Sequence, residues 1–315
     1  MSKYKIIHKN NKINAILANL NGLINTKLRI NKFTEIKNLP GRLAPIKSEK
    51  KVINNQSKKF NTIKKEWSKN YDFLEFEFKL LDKMVIGLGD ISIHETSILL
   101  HHIYGIPYIP GQAIKGVIRN YIIKARHDEF EEKAFKCDKF ISYFGGEKQG
   151  DSGVKKAGQN YQGKVIFFDA FPCNDNYIIE KDVMTPHYKD YYEAGKKAPT
   201  DDMKPVPIEF LVVKNAIFKV YIAIKKSNDI NKEEVKELFF ETFKFMGIGA
   251  KTNLGYGFID IEHIKNKYNE FKSKLEKEKT KNMSVGEKIV YNFKKGDFNS
   301  RFGQFWANKL DKLVV

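Results

Sequence analysis

Four glycines within eleven residues, Gly247, Gly249, Gly255 and Gly257, constrain this chain more than any other feature. The residues before them recur at helical spacing and those after them alternate, so residues 246–258 connect a helix to a strand through an unusual backbone. Glycine serves where φ turns positive or where another group must approach the main chain, and either use can turn N–H groups toward an anion. Lys251, Thr252, Asn253 and Tyr256 stand inside the stretch, which reads as a phosphate cradle. A P-loop is excluded, because it needs Gly directly before the Lys-Thr pair and runs from strand to helix, whereas Ala250 precedes Lys251 here. The dinucleotide fingerprint is excluded as well, since Thr252 occupies the place of its third glycine. A tight turn packed against a neighbouring helix accounts for the same glycines.

From Tyr71 the pattern is sharp. Leu74, Phe76, Phe78 and Leu80 alternate with Glu75, Glu77 and Lys79, which predicts a half-buried strand. The link 82–110 then carries Asp90, His94, His101 and His102, and links of that length inside a domain usually carry function. Ile114, Val117, Ile118, Tyr121 and Ile122 predict a helix over 112–126, with Lys115 and Arg119 four apart near its start. There, basic side chains and free N–H groups can engage one phosphate together.

A second helix is expected from Phe130 to Phe144, a polar Gly-rich loop over 145–163, and a buried strand over 165–170. Residues 172–207 read as an irregular insertion that contains His187 and tyrosines able to stack bases. Residues 208–213 and 217–224 read as a hairpin. Asn231 and Glu234 cap a third helix through Val235, Leu238, Phe239 and Phe243, and the last core strand runs over 258–262. This order predicts an α+β, ferredoxin-like (RRM-like) core over 71–262, with insertions at 82–110, 145–163 and 172–207. It is flanked by a basic N-terminal arm, 1–70, loosely ordered or partly helical. On the other side lie a charged helix and tail, 263–315, with a thin apolar seam at Ile264, Tyr268, Phe271 and Leu275 that equally suits a mainly structural cap docked on a partner, with little nucleic-acid contact.

Charge narrows the function. Of the net +18, residues 1–70 supply most, with 17 Lys+Arg against 3 Asp+Glu. A polyanion such as nucleic acid suits such a surface through counterion release, although lysine excess also serves solubility. Cys137 and Cys173 have neither CxxC spacing nor zinc partners, so a reduced cytoplasmic setting without metal or cofactor is expected. Residues 13–24 are interrupted by Asn14, Asn19 and Asn21 with no cleavage site after them, and no run reaches bilayer length, so neither a signal peptide nor a membrane partner is expected. Acid-base chemistry would fall to His94, His101, His102 or His187, with Asp90 nearby, as in a metal-independent ribonuclease. Ile98 excludes an HExxH zinc motif, and His94 and His187 equally suit phosphate contact.

Several stretches together resemble the RAMP superfamily of CRISPR systems. They are Gly87-Leu88-Gly89, His94-Glu95-Thr96, residues 104–111 leading to Lys115 and Arg119, Thr185-Pro186-His187-Tyr188, Pro205-Val206-Pro207 and the glycine loop. More narrowly they resemble the family of sixth subunits of the type III-B Cmr effector complex. The resemblance implies a ferredoxin-like RAMP fold that binds the 3′ part of a guide RNA without cutting it. It also implies contact with target RNA, with a backbone RAMP subunit and with a small helical subunit of a cytoplasmic antiviral assembly. The slicing relative carries an acidic residue in its strand-to-helix link, where this chain offers Asp90 and Glu95.

Overall fold

Leu74, Phe76 and Phe78 are buried while Phe73, Glu75 and Glu77 are only half-covered, the two-residue period of a strand with one face in the core. In the computed structural model the described residues are 25–33, 41–90, 92, 94–149, 155–186 and 205–281. The principal elements, in chain order, are α1 (Lys47–Trp67), β1 (Tyr71–Lys79), β2 (Lys83–Met84), α2 (Gly111–Arg126), α3 (Asp138–Phe144), β3 (Gly145–Gln149), β4 (Lys155–Gln162), β5 (Val165–Phe167), β6 (Phe171–Pro172), β7 (Ile178–Met184), β8 (Ile208–Lys214), β9 (Ile217–Lys225), α4 (Lys232–Phe245) and α5 (Ile261–Lys281). Residues 1–264 form one compact unit and residues 265–315 a second.

The first sheet is antiparallel in the order β1-β9-β5, with β6 also paired to β9. β1 and β9 pair along nine residues, from Ile217 opposite Lys79 to Lys225 opposite Tyr71. Its inner face packs on α4: Phe76 stacks on Phe239 at 4.0 Å, and Phe78 meets Phe243 edge-on at 4.6 Å. Each such pair adds about 0.5–1.5 kcal/mol beyond the area it buries. The opposite face is covered too. Phe60 of α1 stacks on Tyr221 and meets Phe73 edge-on, and Lys64 pairs with Glu75. The glutamate side of β1 therefore lies under a helix that the basic arm supplies.

A second antiparallel sheet joins Arg42–Leu43, β7, β8 and β2, with β7 and β8 paired over seven residues. This corrects the hairpin expected over 208–224. β8 and β9 are consecutive but belong to different sheets, with a left-handed Asn215 (φ 57) at the corner between them. Asn174 clamps that corner, accepting from Ile217 N–H and donating to the Asn215 carbonyl, both at 2.7 Å. The expected irregular insertion likewise opens with a regular strand, β7. The expected loop at 145–163 holds the ribbon β3–β4. The second helix is broken into Glu131–Ala134 and α3, with Cys137 extended between them. The last strand is reduced to one bridge, Leu80 to Ile259, before α5 begins. The seam residues Phe271 and Leu275 lie outside the described side chains, and residues 1–24, 34–40 and 282–315 of the expected arm and tail lie outside the described residues.

Candidate functional site

The glycine loop divides into a hydrogen-bonded base and an exposed tip. At the base, Ile248 N–H donates to the Gly257 carbonyl, Gly257 N–H to Lys83 and Ala250 N–H to Val85, at 2.9, 2.7 and 2.7 Å. Gly249 (φ +101) and Gly257 (φ +73) hold left-handed backbone, and a Cβ on either would strike a carbonyl oxygen, of Val85 and of Ile248 respectively. Those two glycines are thus required by close backbone approach. Gly247 is buried against Thr252, whose methyl would sit 3.0 Å from an added Cβ.

The tip turns outward. Lys251 is itself left-handed (φ 59, ψ 31) and opens a single 3-10 turn, Thr252–Leu254, closed by Gly255 N–H on the Thr252 carbonyl at 2.9 Å. Asn253, Leu254 and Gly255 are exposed. Left-handed backbone at a non-glycine costs on the order of 1 kcal/mol and gathers at functional sites. The Lys251 ammonium lies 5.5 Å from the centroid of the Phe210 ring. Beneath the tip, Asp182 accepts from Tyr256 Oη at 2.9 Å and from Lys83 Nζ at 3.0 Å. Burial would raise its pKa, but these hydrogen bonds outweigh it and hold the carboxyl below its usual range. Lys83 and Asp182 thus brace the loop, a role with no signal in the spacing of the sequence.

The pair on α2 has other neighbours. Lys115 Nζ donates to the Phe144 carbonyl at the end of α3 (2.8 Å), and burial, then Arg119, lowers its pKa. Arg119 pairs with Glu131 and lies over the rings of Phe135 and Phe140 at 5.5 and 5.4 Å. At the start of α2, Gly111 N–H donates to Asp169 Oδ1 at 2.8 Å. This helix start therefore already holds a carboxylate.

In the 82–110 link, His94 Nε2 donates to the Ile30 carbonyl at 2.8 Å. His101 Nδ1 accepts from the N–H groups of Ile103 and Tyr104, and burial, then the neighbouring His102, lowers its pKa. Accepting at Nδ1 leaves the proton on Nε2 and favours the neutral ring. Asp90 sits exposed in a turn, its N–H on the Gly87 carbonyl. His187 lies outside the described residues. Among the described residues no group of three or more His, Cys, Asp or Glu could hold a metal ion, and no helix is long and apolar enough to cross a membrane.

Known proteins are similar to this chain. A family profile described as the RAMP superfamily matches residues 77–260. The "CRISPR system Cmr subunit Cmr6" of Pyrococcus furiosus is 32% identical over 281 residues, covering 74% of this chain and 81% of that protein. The Cmr6 subunit of Saccharolobus solfataricus is 26% identical over 62% of this chain and 61% of its own length. In fold, the chain is similar to one in the cryo-EM structure of the type III-B Cmr-beta bound to cognate target RNA, with a TM-score of 0.51 and 22% identity over 82% of this chain and 78% of that one. Matched by the profile from β1 to the bridge at Ile259, and by a Cmr6 subunit across most of that subunit's length, this chain belongs to the RAMP superfamily and is a homologue of the Cmr6 subunits.

Proposed function

We propose that this chain is a non-catalytic, RNA-binding subunit of a type III-B Cmr antiviral complex in the cytoplasm. It holds the 3′ part of the guide RNA and touches target RNA, a backbone RAMP subunit and a small helical subunit. The observation that carries the reading is the outward tip of the glycine loop in a Cmr6 homologue, where left-handed Lys251 leads into exposed Asn253 and Gly255. In this reading Lys251, Thr252, Asn253 and Gly255 meet the ribose-phosphate strand, while Gly247, Gly249 and Tyr256 shape the turn. His94, His187, Lys115 and Arg119 are further candidates for contact.

The core is read as ferredoxin-like. Helices α2 and α4 connect its strands in the order strand, helix, strand, strand, helix, and Ile259 stands beside β1 as a vestigial fourth strand. His94 and His101 each have one ring nitrogen tied to backbone, which fixes their tautomers.

The test is a filter-binding titration of guide-length RNA against the full chain at several salt concentrations. Lys251→Glu weakens binding and lowers the salt slope by about 0.7 or more, one phosphate contact on a single strand being worth roughly 0.7. Wild-type affinity and slope in Lys251→Glu would falsify the role of the tip.

A further inference from the structure

Beneath α1, on the face of the first sheet opposite α4, lies a cleft of about 280 Å³. Its floor is made of flat rings. Phe60 and Tyr221 are stacked with centroids 3.4 Å apart, and Phe168 stands edge-on to Phe60 at 5.0 Å. Gln56, Ser57, Lys59, Asp169 and Lys219 are among its polar lining, and the Gln56 amide nitrogen is buried with no hydrogen-bond partner. Phe171 lines the cleft and also belongs to a row of rings beside it. Tyr108 stacks on Phe171 at 5.8 Å, His101 meets it edge-on at 5.6 Å, and Tyr104 and His102 stack on His101 at 4.3 and 4.9 Å. Lys59 ties the two together, since its ammonium donates to Tyr104 Oη at 3.0 Å and lies 5.2 Å from the ring centroid.

Size, shape and charge select the occupant. Pockets for drug-sized ligands span about 300–1,000 Å³, so this cleft suits a single ring system. Its aromatic walls favour a flat π-face over an aliphatic chain. Seven lysines on α1 face two glutamates, one of which, Glu49, is buried against the Thr26 and Ile46 N–H groups. An anionic carrier is therefore favoured over a cationic or neutral one. Single-stranded RNA offers both features, an unstacked base and the phosphate beside it.

We propose that the cleft under α1 receives one base splayed out of single-stranded RNA, with Phe171 as its stacking platform and Lys59 on the adjoining phosphate. This rests on the RNA-binding reading above and places a second contact on a face of the molecule that the glycine loop does not use.

The probe is an oligo-uridine RNA substituted with 4-thiouridine, mixed with the full chain, irradiated, digested and mapped by mass spectrometry. Affinity is measured in parallel for Ser57→Trp, which adds bulk to the cleft from exposed α1, and for Phe171→Ala, which removes the stacking ring. Cross-links are expected at Phe168 or Phe171, with binding about tenfold weaker in both variants, within the range for loss of one stacked base. The cross-link map of the wild-type chain decides the matter even if a variant unfolds. Cross-links confined to residues 251–255, or wild-type affinity in both folded variants, overturn this site and leave the RNA-binding reading standing. A wild-type chain that retains no oligo-uridine at low salt overturns both.

Discussion

Gly257 and Gly255 show how differently two neighbouring glycines constrain a fold. Both are left-handed, with φ +73 and +91, but a Cβ on Gly257 meets the Ile248 carbonyl whereas one on Gly255 meets nothing within 4 Å. Gly255→Ala therefore carries only the left-handed penalty, on the order of 1 kcal/mol. Gly257→Ala must also force apart a pair of hydrogen-bonded backbones, and a loss of at least about 3 kcal/mol is expected in urea unfolding. His101 supplies a prediction in pH. Its folded pKa is lowered, so its contribution is present above the unfolded value of about 6.5 and is lost as pH falls through the folded one. Between pH 7 and pH 5 the unfolding free energy of the wild-type chain should fall more steeply than that of His101→Gln. Equal slopes would mean that His101 titrates alike in both states.

Helix α1 is the element whose role is least apparent from its composition. Its lysines and asparagines suggest a solvated arm, and only Ile53, Phe60 and the capping Glu49 are buried. Yet Phe60, seven residues after Ile53, sits at the centre of an aromatic group formed by Phe73, Phe168 and Tyr221. Phe60→Ala should destabilise the chain by about 3–5 kcal/mol and speed amide exchange along α1, while leaving the α4 side of the sheet protected. Loss of protection on both faces together would mean that α1 is integral to the core. The alternation of β1 and the stripe of α4 were legible because each faces one continuous core. Two buried apolar positions in a lysine-rich helix fall below what periodicity can register. The split of β8 from β9 was illegible for another reason: a two-residue corner between apolar runs normally signals pairing, and the clamp that prevents it comes from Asn174, more than forty residues away in sequence.

At the scale of the whole molecule, charge is distributed by segment, and the fold decides where the segments lie. The glycine loop could be read as an anion site from spacing, but its division into a closed base and an open tip depends on carbonyls of Lys83 and Val85, which no local pattern reveals. Lys115 and Arg119 share a helix face as the spacing required, yet α3 and Glu131 give both of them internal partners. The described cations most open to a polyanion therefore include those of α1, where Lys51, Lys58 and Lys65 are exposed. Replacing these three by glutamine should reduce the slope of log affinity against log salt by about 2, at roughly 0.7 per phosphate contact on a single strand. Lys251→Gln should reduce it by about 0.7 on the same basis. The two losses should add, because the lysines lie on separate elements and reach different phosphates of one strand. If the α1 substitutions leave the slope unchanged while Lys251→Gln lowers it, the strand runs over the glycine tip alone, and the charge of α1 serves solubility or a protein partner instead.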